Sequence, residues 1–258
     1  MKKRTGKPGP RPGKPERSSA SKARRPPRFS KELIVLYEDD AVIVLDKPAG
    51  LPAVPIPGSE TPSALTLLAA ALKRKRQRAF VVHRIDRFTS GVLLFAKTQA
   101  DREPLVRQFL GHTPVRQYLA VLRGRLEARA GTLVHYFRRE GMWQQLRSER
   151  DPKATRAELR YSVERLFPEA SLVRVELMTG LQNQIRAQFA ALGHPVIGDR
   201  KYHATESAEP LIDRVALHAT HLEFVHPRTG EMIAVDCEVP SDIRHLVQEL
   251  SRTKSTRR

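Results

Sequence analysis

The residues best suited to chemistry lie in one short stretch, His83-Arg84-Ile85-Asp86-Arg87-Phe88-Thr89-Ser90-Gly91. Asp86 is its only carboxylate, with cations at Arg84 and Arg87 close by. Opposite charge within about 4–6 Å favours the ionised, acceptor-only form of a carboxylate. That form suits a nucleophile or a base better than an acid. A structural Asp–Arg pair closing a turn has the same charge pattern, and charge alone does not separate the two. On either side, Ala79 to Val82 and Val92 to Ala96 read as short buried strands. Asp86 then sits at a strand end, followed by the turn residues Thr89, Ser90 and Gly91, and rigid flanks hold it in place.

The elements that must position this stretch can be read in chain order. Leu33 to Tyr37 and Ala41 to Leu45 form a hairpin about Glu38-Asp39-Asp40. Residues 52–62 hold four Pro and one Gly and read as an irregular loop. Ala64 to Leu72 reads as a helix capped by Ser63. The basic run Lys73-Arg74-Lys75-Arg76 follows it. Lying just before the Asp86 strand, the run is placed to line a cleft and hold phosphates, although a solvated helix end has the same composition. Asp101 to Leu110 reads as a helix with Pro104 in its first turn and Leu105, Val106, Phe109 and Leu110 buried. Arg116 to Gly124 is a strand carrying Tyr118. Gly131 to Phe137, Ala157 to Val163 and Leu172 to Met178 are three more, with Met142 and Trp143 in a polar connection. Ile185, Phe189 and Leu192 recur at helical spacing, closed by Gly193, and Arg186 lies away from that apolar stripe, facing a cleft. Ala216 to Val225 and Met232 to Cys237 form a second hairpin. Ser241 caps a last helix with Ile243, Leu246, Val247 and Leu250 on one face.

Several segments resemble one family. His83 to Thr98 (HRIDRFTSGVLLFAKT) resembles the signature segment of the RluA-type RNA pseudouridine synthases. Four further segments resemble family motifs in the expected order. They are Lys47-Pro48-Ala49-Gly50-Leu51, Arg116 to Gly124, Thr179 to Arg186 with Gly193 to Tyr202, and Leu217 to Gly230. The resemblance covers roughly residues 33–239. It implies an α+β pseudouridine synthase fold, a long bent mixed, largely antiparallel sheet with flanking helices and a central RNA-binding cleft. It implies that Asp86 is the catalytic aspartate, that Tyr118 stacks on the target base, that Arg186 pairs with Asp86, and that Arg84 fills the space a flipped uridine vacates. Arg87 and Gln184 join the RNA-contact set with Lys73, Arg74, Lys75 and Arg76. Three positions depart from the family pattern: Val54 and Asn183 stand where histidine is usual, and Leu181 where arginine is usual. They keep open a second class, a non-catalytic RNA-binding or ribosome-assembly protein on the same scaffold. A DNA glycosylase using Asp86 would share the base-flipping logic but lacks motif support.

Composition bounds the remainder. The 258 residues carry 46 Lys/Arg against 28 Asp/Glu, a net charge of +18. Residues 1–28 hold 11 of the basic residues, one acid, six Pro and three Gly, and read as a disordered basic arm. Residues 251–258 add four basic residues as a tail, leaving 29–250 as one catalytic domain. Such arms attract polyanions, RNA first among them, ribosomal RNA ahead of transfer RNA. No apolar run is long enough to span a membrane, and the basic N-terminus lacks the apolar core of a secretory signal. Cys237, the single cysteine, fits a reducing, cytoplasmic compartment. His218 and His221 fall on opposite faces of a strand and have no cysteine partners, so no metal is expected. Nothing in the sequence asks for an organic cofactor, and a monomer is expected.

Overall fold

The computed structural model describes residues 33–141, 143–202 and 212–252. The basic arm and the tail beyond Arg252 lie outside them. Eleven strands among the described residues form one sheet: β1 (Ile34–Glu38), β2 (Val42–Lys47), β3 (Phe80–Val81), β4 (Ser90–Ala96), β5 (Val115–Arg123), β6 (Ala130–Glu140), β7 (Trp143–Arg147), β8 (Thr155–Leu166), β9 (Ala170–Leu177), β10 (Leu217–Val225) and β11 (Met232–Asp236). The order is β1-β2-β4-β10-β5-β9-β8-β6-β7, with β11 on β10 and β3 on β4. Every pairing is antiparallel except β10 with β4. Two antiparallel arrays therefore meet at one short parallel contact, His218 beside Ser90 and Ala219 beside Gly91. This is the expected mixed, largely antiparallel sheet.

Both faces of β2 and β4 are covered. Val42, Val44, Val92 and Leu94 pack with Leu105 of α2 (Gln99–Leu110), and Ile43, Leu45, Leu93 and Phe95 pack with Leu68 and Leu72 of α1 (Ala64–Lys73). A strand buried on both faces reads as a continuous apolar run, which is why periodicity found these two. A third cluster lies over β5, β9 and β10 and takes in Ile185 and Phe189 of α3 (Gln184–Ala191) and Ile243 and Leu246 of α4 (Ser241–Arg252).

Local chemistry explains the helix starts. Ser63 and Thr66 form a reciprocal capping box on α1. Thr98 accepts from the Asp101 amide, so α2 begins two residues earlier than its apolar pattern indicates, and Pro104 falls in the second turn. Leu110, expected in the core, is 74% exposed; it is the last residue of the helix, next to the C-cap Gly111. α4 begins at Ser241 and runs through Arg252, two residues into the expected tail. Trp143, expected in a connection, starts strand β7 opposite Glu140. Among the described residues no helix is long and apolar enough to cross a membrane.

Candidate active site

Asp86 lies at the bend between β3 and β4, in a turn where the Thr89 amide donates to the Asp86 carbonyl at 3.1 Å. The loop after β2 braces that bend. The Gly50 amide donates to the Arg87 carbonyl at 2.8 Å, and Arg87 Nε returns a bond to the Gly50 carbonyl at 2.9 Å. Lys47, wholly buried, donates from Nζ to the carbonyls of Leu51 (2.8 Å), Pro48 (3.0 Å) and Arg87 (3.2 Å). Burial pushes its ammonium down to about 7, against the field of Asp86. From the other side, Ser90 Oγ meets His218 Nδ1 at 2.9 Å. At Gly91, φ is +108°, and a Cβ would collide with the Ala219 carbonyl oxygen, so the parallel contact with β10 requires glycine.

Arg186 approaches from α3. Its Nε and Nη2 both reach the Asp199 carboxylate at 2.7 Å, and Nη1 donates to Asn183 Oδ1 at 2.7 Å and to Asp86 Oδ2 at 3.4 Å. The side chains of Arg186 and Asp199 are 8% and 0% exposed, that of Asp86 20%. Burial opposes the charge on Arg186, but the bonds and charge of Asp199, with Asp86, hold its value above the ordinary one. Burial likewise opposes the charge on Asp199, but Arg186 and the amides of Lys201 and Tyr202 hold it below the carboxylate range. The bidentate Asp199 thus locks the guanidinium, and Asp86 receives its remaining corner.

Asn183, which stands where histidine is usual, opens α3 with a left-handed φ of +56° and accepts from Arg186. Short polar side chains tolerate that backbone region best after glycine. Leu181 packs at the edge of a small apolar cluster with Phe137, Ala157 and Ala187.

Asp86, Arg87, Leu181, Asn183 and Arg186 line a cleft of about 1040 Å³. Tyr118 sits in its wall on β5, in one row with Ala219 of β10 and Gly91 of β4. Burial pushes its phenol up to about 12, so the ring stays neutral. Arg116, two residues earlier on β5, is also buried, donating Nη2 to the Leu177 carbonyl at 3.2 Å and the Thr179 carbonyl at 3.3 Å. His83 stacks on Phe109, with centroids 4.4 Å apart, and accepts from the Leu94 amide. Burial pushes its imidazole down to about 3, so it serves as a neutral brace. Arg84, exposed, and Arg87 line the same cleft.

The expected basic run is placed elsewhere, and Gln184, although at the cleft, turns its side chain to its own loop. Lys73, Arg74, Lys75 and Arg76 do not line the cleft. β3 runs antiparallel to β4 with Phe80 opposite Ala96, so residues before Phe80 lie at the end of β4 remote from Asp86. There Lys75 lies 3.7 Å from Glu38, which also pairs with Lys97. Gln184 is 2% exposed. It receives the Leu181 amide and Thr179 hydroxyl and donates to the Glu158 carbonyl, so it ties the loop to β8. A glutamine at the start of a helix reads as a surface contact until those unpaired loop groups are seen. Asp199 and Lys47 carried no role in the sequence reading. A buried arginine requires a carboxylate partner, and the Gly198-Asp199 pair following α3 was the signal for it.

Comparison with known proteins identifies the family. Residues 41–191 match the family model for RNA pseudouridylate synthases. An uncharacterised RNA pseudouridine synthase of Bacillus subtilis, YlyB, is 34% identical over 227 residues, 86% of this chain and 74% of that one. Ribosomal large subunit pseudouridine synthase D of Xanthomonas campestris is 38% identical over 236 residues, 84% of this chain and 69% of that one. In fold, the solved structure of human RNA pseudouridylate synthase domain containing 1 superposes with a TM-score of 0.67 at 24% identity, covering 88% of this chain and 98% of that one. With its cleft carboxylate, the motif order and this similarity over most of its length, the chain belongs to the RNA pseudouridylate synthase family and is an isomerase of uridine in RNA.

Proposed function

We propose that Asp86 is the catalytic carboxylate, that Arg186 orients it, that Tyr118 supports the extruded uracil, and that the substrate is ribosomal RNA. The observation that carries this is the Asp199–Arg186–Asp86 chain at the cleft floor, with both ends of the guanidinium held.

The reaction breaks the N1–C1′ bond of uridine, turns the uracil and joins C5 to C1′. C5 loses its proton and N1 regains one, so no redox change occurs. The ring must first leave the RNA stack, at a few kcal/mol. Arg84, exposed beside Asp86, is positioned to fill the vacated space. Asp86 then holds the intermediate, by bonding C1′ or by adding to the base. Arg186 keeps one oxygen aimed while leaving the other open to the cleft. Tyr118, neutral and buried in the wall, offers a ring face to the base.

Ribosomal RNA is favoured because a chain of +18 is drawn to a dense polyanion. The Xanthomonas relative named for the large ribosomal subunit supports the same choice. The test uses unmodified transcripts of large-subunit ribosomal RNA and of transfer RNA. Because the product is an isomer of the substrate, nuclease digestion and chromatography must read it rather than mass. Wild type should convert the ribosomal transcript, and Asp86→Asn should bind it but convert none. Turnover by a folded Asp86→Asn protein would overturn the assignment of Asp86, and conversion of transfer RNA alone would overturn that of substrate.

A further inference from the structure

Beside the Asp86 cleft lies a smaller cavity of about 280 Å³. Phe137 and Leu181 line its apolar side, and Arg84, Arg139, Gln144 and Gln182 bring donors to it. No Asp or Glu lines it among the described residues. Arg84, Arg139, Leu181 and Gln182 also border the large cleft, so the two spaces adjoin. We propose that this cavity holds a backbone phosphate of a nucleotide flanking the target uridine, with Arg139 as its principal cation.

The β6–β7 hairpin explains why Arg139 is available. Cross-strand pairs share a face, and the pairing of Arg139 with Gln144 sets one face and that of Glu140 with Trp143 the other. On the second face the charges satisfy one another. Arg138 binds Glu140 at 2.6 Å and Asp151 at 3.5 Å, and Arg147 binds Glu140 as well. Arg139, their neighbour, bonds only a backbone carbonyl, giving Nε to Gly141 at 3.0 Å, and its terminal nitrogens have no hydrogen-bond or carboxylate partner among the described residues. A planar guanidinium with free terminal nitrogens, set beside a second one and two amides, matches a phosphate's acceptor oxygens. The volume lies just below the range of about 300–1,000 Å³ usual for small-molecule pockets. It fits a phosphate with part of its sugar and excludes a duplex.

Leu181 gives the site its individuality. Where the sequence pattern leads one to expect a loop arginine, Leu181 turns to the apolar cluster beneath and brings no charge. The cation comes instead from the hairpin, so Arg139 contributes to substrate choice as well as affinity.

This inference rests on the reading of the cleft as an RNA site, and its test does not depend on turnover. The affinity of Asp86→Asn protein for an unmodified large-subunit ribosomal RNA transcript is measured across a salt series, alone and with Arg139→Gln, Arg139→Lys or Arg138→Gln added. Arg139→Gln should weaken binding about tenfold or more and reduce the log–log salt slope by about 0.7–0.9. Arg139→Lys should restore the slope while recovering only part of the affinity, because lysine is a point charge. Arg138→Gln should leave both as they were. Melting temperatures identify a merely structural Arg139, which would lower stability with the slope intact. An unchanged slope in Arg139→Gln, or equal losses in Arg138→Gln, would overturn the proposal. Pseudouridine formation by wild type is scored separately. Its absence with the slope change present would count against the activity and not against the phosphate site.

Discussion

Asp199→Asn removes one charge from the most deeply buried ion pair of the site. Asn keeps an oxygen that can accept from the Lys201 and Tyr202 amides, as Asp199 Oδ1 does at 2.9 and 3.2 Å. The loop geometry is therefore preserved, and the loss falls on Arg186. Its guanidinium, 8% exposed, would retain Asn183 and the 3.4 Å contact to Asp86 in place of two charged bonds of 2.7 Å. Removing one partner of a buried pair costs roughly 3–5 kcal/mol. For a domain of this size that is a fall in melting temperature of roughly 6–20 °C. Denaturant unfolding should show a lower midpoint with an unchanged slope. The effect has a pH signature. Asp199 is held below its unfolded value, so its stabilisation is complete above about pH 4 and lost as pH falls through the folded value. The stability gap between wild type and Asp199→Asn should accordingly begin to narrow below about pH 4 and close as the pH passes the folded value. Turnover should fall as well, because Arg186 no longer holds its orientation toward Asp86. The double variant Arg186→Met/Asp199→Leu should regain much of the stability and none of the activity. A loss under about 1 kcal/mol at pH 7, or a gap between the two proteins that does not narrow at all as the pH falls below about 4, would refute the reasoning.

Three further outcomes can be checked. Lys47 is lowered to about 7 by burial, so between about pH 7 and 10 the unfolded chain holds a proton the folded one has released, and stability from this group rises with pH across that window. Chemical denaturation of Lys47→Met should lack that rise, and identical pH slopes for the two proteins would show that Lys47 keeps its charge when buried. Tyr118→Ala should lower kcat/KM roughly five- to 150-fold through lost stacking, and an unaltered kcat/KM on a ribosomal transcript would remove Tyr118 from the site. Gly91→Ala should destabilise by on the order of 4 kcal/mol, since its Cβ meets the backbone of Ala219 at φ +108°; a melting temperature within a few degrees of wild type would contradict that packing.

What could be read from the sequence was what is encoded locally. Ser63 announced α1 because a cap acts within four residues, and β2 and β4 announced themselves because burial on both faces leaves an unbroken apolar run. The turn holding Asp86 was legible because it is written in turn residues and followed by the unbroken apolar run of β4, although the run before it forms only the short, half-buried β3. Arg186 could be placed on the side of its helix away from the apolar stripe from spacing alone, and its contact with Asp86 was anticipated through the resemblance.

Tertiary structure decided what those elements face. The direction of β3 carried Lys73 to Arg76 away from Asp86, although they lie only ten to 13 residues before it in sequence. The parallel contact of β10 with β4 brought Ala219 against Gly91, and no local pattern marks a partner that far along the chain. Gln184 looked like a contact residue until the unpaired groups of its own loop turned it inward. The strength of Arg186's hold on Asp86 depends on Asp199, which pairs with it only because the loop after α3 folds back beneath the helix. Periodicity and capping act over one turn or one strand. Strand order, register and charge pairing depend on which surfaces become buried together, and that exists only once the chain has closed on itself.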